Sequence, residues 1–411
     1  MKRLLTTALL LGTAASFAQV QVDGNMYIGP EVEVHVFEDM TNTGDFNINN
    51  TALLHVRGDI NMEGTSGQNL GGHVIVDKLH QDNGSGVVVA NGSQVEVYEA
   101  LELNSGNMTA NSPVIIKSLP AWTAYVDDFS GGFNGSYSGS LTMERYVATS
   151  GFHHVGGAVD VSNIASELSE AGLYGPNMGQ VLPLPTCNPN AVDGSSPYGS
   201  MFQWDENAPF LFNCNQSGWF VRSSGSMENG RGYSLTFSAG NTFDLTGTPH
   251  LSMVNYGPLS NSGTLGNGFH LVSNPYPSDI EYVSPISGFD AAIYIWQSSG
   301  NYAGTYQSSF PGTGTRVASQ QGYFVRRSSG SGSYGIPLSW RRTGSETYFR
   351  LAYNQGLEII AEGNGYADRT LVRFDPMASI TYEPDVDAMK VRHTNEQPLL
   401  ATTNGYDDLS V

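Results

Sequence analysis

Between Val20 and Leu119, apolar and polar positions alternate in short bursts, separated by Gly and Asn: VEVHVF, FNI, LLHVRGDINM, HVIVDKL, GVVVANGSQVEVYEALEL and PVIIK. Alternation at period two puts every second side chain on one face, so each burst predicts a strand with one buried side. No burst is long enough to bury a core alone. Short strands with a turn every several residues predict a parallel β-solenoid, in which each coil covers the apolar edge of its neighbour. A partial echo, TGDFNI and RGDINM, sets Gly44-Asp45 and Gly58-Asp59 14 residues apart. A β-sandwich built from hairpins is the competing layout.

Pro120-Ala121-Trp122 and the Gly/Ser-rich FSGGFNGSYSGS mark a boundary, after which the pattern repeats on a larger scale. Gly151-Phe152-His153 returns as Gly268-Phe269-His270 at an offset of 117 residues, MFQW ending at Trp204 returns as IYIW ending at Trp296 at an offset of 92, and Gly232-Tyr233 returns as Gly322-Tyr323 at 90. Three landmarks in conserved order predict a duplicated β-sandwich-like domain. The loss of offset places an insertion in the first copy, and VLPLPTCNPNAVDGSSPYG has the composition of a loop. The fold class expected is therefore all-β: a signal peptide over 1–18, a solenoid-like domain over 19–120, sandwich-like repeats over 121–256 and 257–345, and a partial C-terminal β domain over 346–411. Only SNIASELSEAG predicts a helix, with Ile164 and Leu168 one turn apart, Ser162 or Asn163 as cap and Gly172 at its end. Its counterpart in the second copy, SDIEYVSPISG, is broken by Pro285, so a shorter helix or none is expected there.

The N-terminus changes the picture of compartment. Lys2 and Arg3, the apolar run Leu4 to Gly12 and the small-residue site Ser16-Phe17-Ala18 form a secretory leader, and no later apolar run is long enough to span a bilayer as a helix. In an oxidising compartment Cys187 and Cys214, the only cysteines, predict a disulfide that closes the inserted loop. A net charge of −20 opposes nucleic acid as a partner. The same Asp- and Asn-rich surface offers oxygens of the kind that hold a structural Ca²⁺, with simple solubility of a secreted protein as the competing reading; no cofactor is expected.

Catalytic patterns fail on context. Gly330 to Gly335 fits G-x-G-x-x-G but leads into the strand-like IPLSW where a dinucleotide site needs a helix. Asp59-x-Asn61-x-Glu63-Gly64 opens like a calcium loop, yet Ile60 and Met62 look like strand residues and Leu70 stands where a bidentate Glu is required. His153 and His154 are neighbours that point to opposite faces of a strand, and the recurrence of His153 as His270 predicts a structural ring bonded to a turn carbonyl. Asn274-Pro275-Tyr276-Pro277 predicts a rigid turn, with both prolines fixing φ and Asn274 bonding its own backbone. The recurrence of Trp204 as Trp296 points to core packing, whereas Trp219, Tyr302 and Tyr306 are candidates for exposed stacking on sugar rings.

LTMERYV (Leu141 to Val147) followed by GFHHVGGAV, then GFHLVSNPYPS, AAIYIW and QGYFV, resembles the surface and secreted cargo proteins of the type IX secretion system. GYADRTLVRFDPMASITYEPDVDAMKV (Gly365 to Val391) resembles the β-rich segment that precedes their C-terminal sorting domain. The resemblance implies export across the outer membrane and display on, or release from, the cell; it supplies no catalytic residues. No sorting domain follows Val411, and strands that stop so abruptly are expected to have partners beyond it. The resulting expectation is a non-enzymatic, secreted or cell-surface structural or adhesion protein whose partner is an extracellular glycan or a surface protein. The alternatives are a glycan-binding module or a solenoid polysaccharide lyase, the latter resting on Arg57, Asp59, Asp77 and Lys78.

Overall fold

The computed structural model describes residues 20–23, 25–127, 135–168, 201–206, 219–221, 225–263, 268–299, 304–344, 357–363, 366–372, 402–403 and 408–409. The leader, the inserted loop with Cys187, the second cysteine Cys214, Gly172, Tyr302 and the TYFRLAY stretch lie outside them. The described chain is nearly all β, a parallel solenoid of about five coils followed by antiparallel sheets.

The solenoid is three-sided. One face stacks Val20–Val22, Met40–Asn42, the second halves of Leu53–Gly64, His73–Asn83 and Gln94–Ser105, and Tyr125–Asp127. A second face stacks Met26–Ile28, Phe46–Ile48, Gln68–Leu70, Val87–Val89 and the start of Asn107–Ile116. The third stacks Glu33–Val36, the first halves of the three long strands and the end of Asn107–Ile116. Register breaks after Val56, Val97 and Ala110 turn the long strands around the corners. Inward positions form columns such as Val34, Leu54, Val74, Val95 and Val114, all but Val34 fully buried. Partners in these columns are about 20 residues apart, so the 14-residue echo is not the coil period: Asp45 borders the second face and Asp59 lies on the first. Where the period places polar residues inside, they seal a corner. Gln68 donates through Nε2 to Asn42 Oδ1 at 2.8 Å and to the Gly44 carbonyl at 3.0 Å, which satisfies groups that an apolar residue would leave stranded.

The parallel ladder does not stop at the expected boundary near 120. Ser136–Val147 adds one more parallel rung on Asn107–Ile116, and Asn241–Gly247 then closes that rung antiparallel, from Leu141 opposite Gly247 to Val147 opposite Asn241. The LTMERYV strand is thus the last rung of the solenoid. Phe243 and Leu245 on the closing strand join one continuous apolar core with Val95, Leu141 and Met143 of the solenoid and Tyr233, Leu235 and Phe237 of the first repeat.

The duplication is plain in the topology. The first copy orders its sheet as Gly151–Val155, Tyr233–Phe237, Met201–Trp204, Trp219–Val221; the second orders Phe269–Ser273, Gly322–Arg327, Phe289–Ser298, Gly304–Ser309, the same path. Register agrees as well, with Val155 opposite Tyr233 and Val272 opposite Tyr323. Neither copy is a sandwich on its own. The first sheet packs one face on the solenoid cap, the second packs one face on Val254–Asn261 with Gly330–Ile336 and on a small sheet around Asp279–Glu281, and their other faces meet.

That meeting is reciprocal. Trp204 Nε1 donates to the Phe269 carbonyl and Trp296 Nε1 to the Phe152 carbonyl, each at 2.7 Å. Val155 bridges Gln321 while Val272 bridges Arg231, and Gly156 N bonds Gln320 O as Ser273 N bonds Gly230 O. Each copy makes with the other the contact it receives, as in an isologous interface. Gly232 and Gly322 are needed where the copies cross: a Cβ on the first would lie 2.6 Å from the Val272 carbonyl, and one on the second 2.9 Å from the His154 backbone.

The helix shrinks to one turn, Ile164–Glu167, with Ile164 and Leu168 buried against the core. In the second copy the equivalent segment is strand Asp279–Glu281, as the break at Pro285 led one to expect. Gly330–Ile336 is a strand, and so is the segment holding Asp59, Asn61 and Glu63.

Because the cap and the solenoid share one core, Phe243→Ala is expected to cost about 3–5 kcal/mol and to lower the stability of both together. Hydrogen exchange of amides in Gln94–Ser105 and Tyr233–Phe237 checks this; protection lost in one segment only would separate them.

Candidate functional site

Chemistry-bearing side chains of the solenoid gather on one edge. At the corner between the third and first faces, Phe37, Arg57, Asp77, Tyr98 and Lys117 each follow a paired inward residue, Val36, Val56, Val76, Val97 and Ile116. Stacking of coils therefore lines them up parallel to the solenoid axis. Arg57, Lys78 and Lys117 are the only Lys or Arg between residues 20 and 127, and His35, His55, His73 and His80 the only histidines there. All of them lie on this corner or on the strands that flank it.

Most of their charges are engaged in pairs. On the third face Glu96 accepts from His73 at 3.0 Å and from Tyr98 Oη at 2.9 Å, while Lys117 pairs with Glu144 at 2.5 Å. Burial works against Glu96's charge, but the Tyr98 and His73 bonds and the Lys117 ammonium outweigh it and hold its carboxyl below the usual range; Tyr98 is pushed up to about 12, by burial first and by Glu96 second. On the first face His80 sits between two carboxylates, Asp59 at 3.2 Å and Glu102 at 2.6 Å. Burial opposes its charge, but these bonds win and raise it to about 9. The His80 bond in turn lowers Asp59. Lys78 pairs with Glu99 at 3.2 Å. The structure thus brings Arg57, Asp59, Asp77 and Lys78 to one edge, as a solenoid active site requires. At neutral pH His80 holds its proton, the bond to Glu99 raises Lys78 against its burial, and burial together with Glu99 raises Asp77. Among the described residues no group of three or more His, Cys, Asp or Glu is placed to hold a metal ion.

Trp122 completes the edge. It stands in the turn between Asn107–Ile116 and Tyr125–Asp127, 44% exposed. Its Nε1 donates to the Tyr98 carbonyl at 2.6 Å, and the turn beneath it is tied by Leu119 N to Trp122 O and Ala124 N to Lys117 O. The ring is exposed and held.

The residues named for sugar stacking are placed otherwise. Tyr306 is only 9% exposed and lies between the two sheets, its hydroxyl 2.7 Å from His154 Nε2. It is core because it occupies the face of the second sheet that meets the first. Trp219 is half-buried in the same interface, its ring against Trp204, His154 and Phe324. The structural histidines are where recurrence put them: His153 Nε2 lies 2.9 Å from the Thr149 carbonyl and His270 Nε2 2.6 Å from the Ser260 carbonyl. Burial depresses both, His153 to about 4, so each is neutral and donates to its carbonyl.

Asn274 makes the turn it was expected to make. Its Oδ1 accepts from Tyr276 N at 3.0 Å, and its Nδ2 donates to Ser278 O and Val317 O at 2.8 and 3.1 Å. The turn is also a junction: the Pro275 carbonyl lies 3.0 Å from His250 Nδ1 and the Pro277 carbonyl accepts from Val126 N of the solenoid at 2.7 Å. Arg57, Asp59, Asp77 and Lys78 were named from the sequence; the rest of the edge, with Phe37, Tyr98 and Trp122, was missed because its residues share a side only at the 20-residue period. The spacing of His35 and His55 is the signal that would have found it.

Asn274→Ala strips three bonds from fully buried groups and is expected to destabilise the protein by roughly 3 kcal/mol; an unchanged melting temperature would contradict the junction. His80→Gln tests the carboxylate pair through pH. A folded pKa above the unfolded value stabilises fully below about pH 6.5. Wild type is therefore expected to exceed the variant at pH 6, and the difference measured by urea unfolding to vanish as pH rises through about 9.

No known protein family matches the chain, and neither a curated protein nor a solved structure matches it.

Proposed function

We propose that the chain is a non-enzymatic structural or adhesion protein of the bacterial exterior, of the type IX secretion cargo kind. The observation that carries this reading is the reciprocal lock between the duplicated sheets, together with the core the first sheet shares with the solenoid. Units tied through buried backbone bonds behave as one stiff body, which a stalk or scaffold needs and which an enzyme with a moving lid does not. The edge of paired charges fits the same role, since ion pairs that engage one another present a fixed polar surface. The secretory leader read from the first 18 residues and the resemblance of SNPYPS and QGYFV to type IX cargo place the protein outside the cell in this reading.

The test is made in the source bacterium. Protease added to intact cells, or immunoblotting of the medium, is expected to find the protein accessible or released, and purified protein is expected to leave polysaccharides uncleaved. Retention inside the outer membrane, or turnover of a polysaccharide, would overturn the proposal.

A further inference from the structure

The solenoid edge has a feature that packing does not require. Among the large hydrophobic side chains left exposed, Phe37 at 64% and Trp122 at 44% stand at opposite ends of the same corner row. They are separated by four coil spacings, about 19 Å at the usual strand separation. Between them run Arg57, Asp77 and Tyr98, one per coil. The Arg57 guanidinium lies over the Phe37 ring at 5.6 Å, and Trp122 is fixed by its bond to Tyr98 O.

A row with an aromatic face at each end and hydrogen-bonding groups at each intervening step matches an extended polymer lying along the axis. Nucleic acid is opposed by the charge of the chain. An apolar peptide would leave the polar steps unsatisfied. A flexible acidic polymer would meet Asp77, Glu96, Glu99 and Glu144 along the row, against Arg57, Lys78 and Lys117. A neutral sugar chain suits all of it: its ring faces stack on aromatic side chains, while its hydroxyls both donate and accept and so meet the Arg57 guanidinium and the Asp77 carboxyl alike.

We propose that this edge, from Phe37 through Arg57 and Asp77 to Trp122, is a binding site for a neutral, extended polysaccharide. The site is distinct from Trp219 and Tyr306, whose rings are taken up in the interface between the sheets. It holds whether the protein acts as stalk or adhesin, and it names the class of ligand the surface would engage.

Affinity electrophoresis of the full chain through gels containing neutral polysaccharides (β-glucan, xylan, mannan, galactan) or acidic ones (alginate, polygalacturonate) tests it. Retardation is expected in at least one neutral polymer, to be weakened tenfold or more by Trp122→Ala and to persist in 0.5 M NaCl. Tyr306→Phe, outside the edge, is expected to leave it unchanged. Should Trp122→Ala fail to fold, as read by thermal melting, Phe37→Ala at the exposed far end decides in its place. Retardation by acidic polymers alone, retardation that survives loss of the aromatic ring, or none in any neutral polymer would overturn the proposal.

Discussion

A parallel solenoid has to end, and its last rung presents a row of unpaired backbone N–H and C=O groups to whatever comes next. Here that row belongs to Ser136–Val147, and Asn241–Gly247 pairs with it antiparallel over seven consecutive residues from Leu141 to Val147. Everything downstream is arranged to hold this closing strand. Phe243 and Leu245 enter the solenoid core, and Phe237 stacks on Phe243 at 5.0 Å, which carries the same core into the first sheet. The first duplicated unit is thus a cap whose one face belongs to the solenoid.

A cap so used still has a second face, and the reciprocal tryptophans show how it is covered. Because Trp204 and Trp296 each spend their N–H on a carbonyl of the other copy, neither landmark can change without taking a donor from a part-buried carbonyl in its counterpart. The glycines at 232 and 322 are held by the same geometry, since any side chain there meets the other copy's backbone. The copies diverge where the contact is made by side chains alone. His154 has Leu271 as its counterpart, and Tyr306 has Trp219; one pair is joined by a hydrogen bond, the other is apolar. Backbone-directed bonds have preserved the repeat, while side-chain contacts have drifted.

This difference explains what the sequence disclosed. Strand content, the solenoid, the duplication, the Asn274 turn and the carbonyl-bound histidines were legible because each is a local or recurring demand of the backbone. The coil period was obscured because corners differ in length, so columns separated by 19 to 29 residues never align as a simple repeat; Val87 pairs with Met108 but Met108 with Tyr137. The extent of the solenoid was misjudged for a related reason: the Gly/Ser-rich stretch before Ser136 looks like a linker, yet the chain re-enters the ladder after it. Tyr306 was read as exposed from its polar, Gly-rich neighbours. Strand Gly304–Ser309 is in fact buried along its whole length, serines and threonine included, because the first sheet covers one side of it and strand Tyr366–Val372 also lies against it. Composition reports what a strand is made of, and only the partner decides whether it sees water.

The histidines show how far environment outruns identity, and they bear on what the edge can do. His153 and His270 each bond one carbonyl, and burial lowers both, in His270 against the pull of the nearby Glu206 and Asp205. His80 is also partly buried, but two carboxylates face it and reverse the sign. A proton held this firmly is unsuited to shuttling at neutral pH, and the carboxylates that hold it are themselves engaged. Lys78, whose bond to Glu99 raises it against burial, is likewise paired, and Lys117 lies against Glu144. Groups committed in pairs lose reactivity and gain fixed orientation. A surface of oriented donors and acceptors with a held aromatic ring at one end is what the proposed glycan site needs, and the stacked coils beneath set its spacing from one rung to the next.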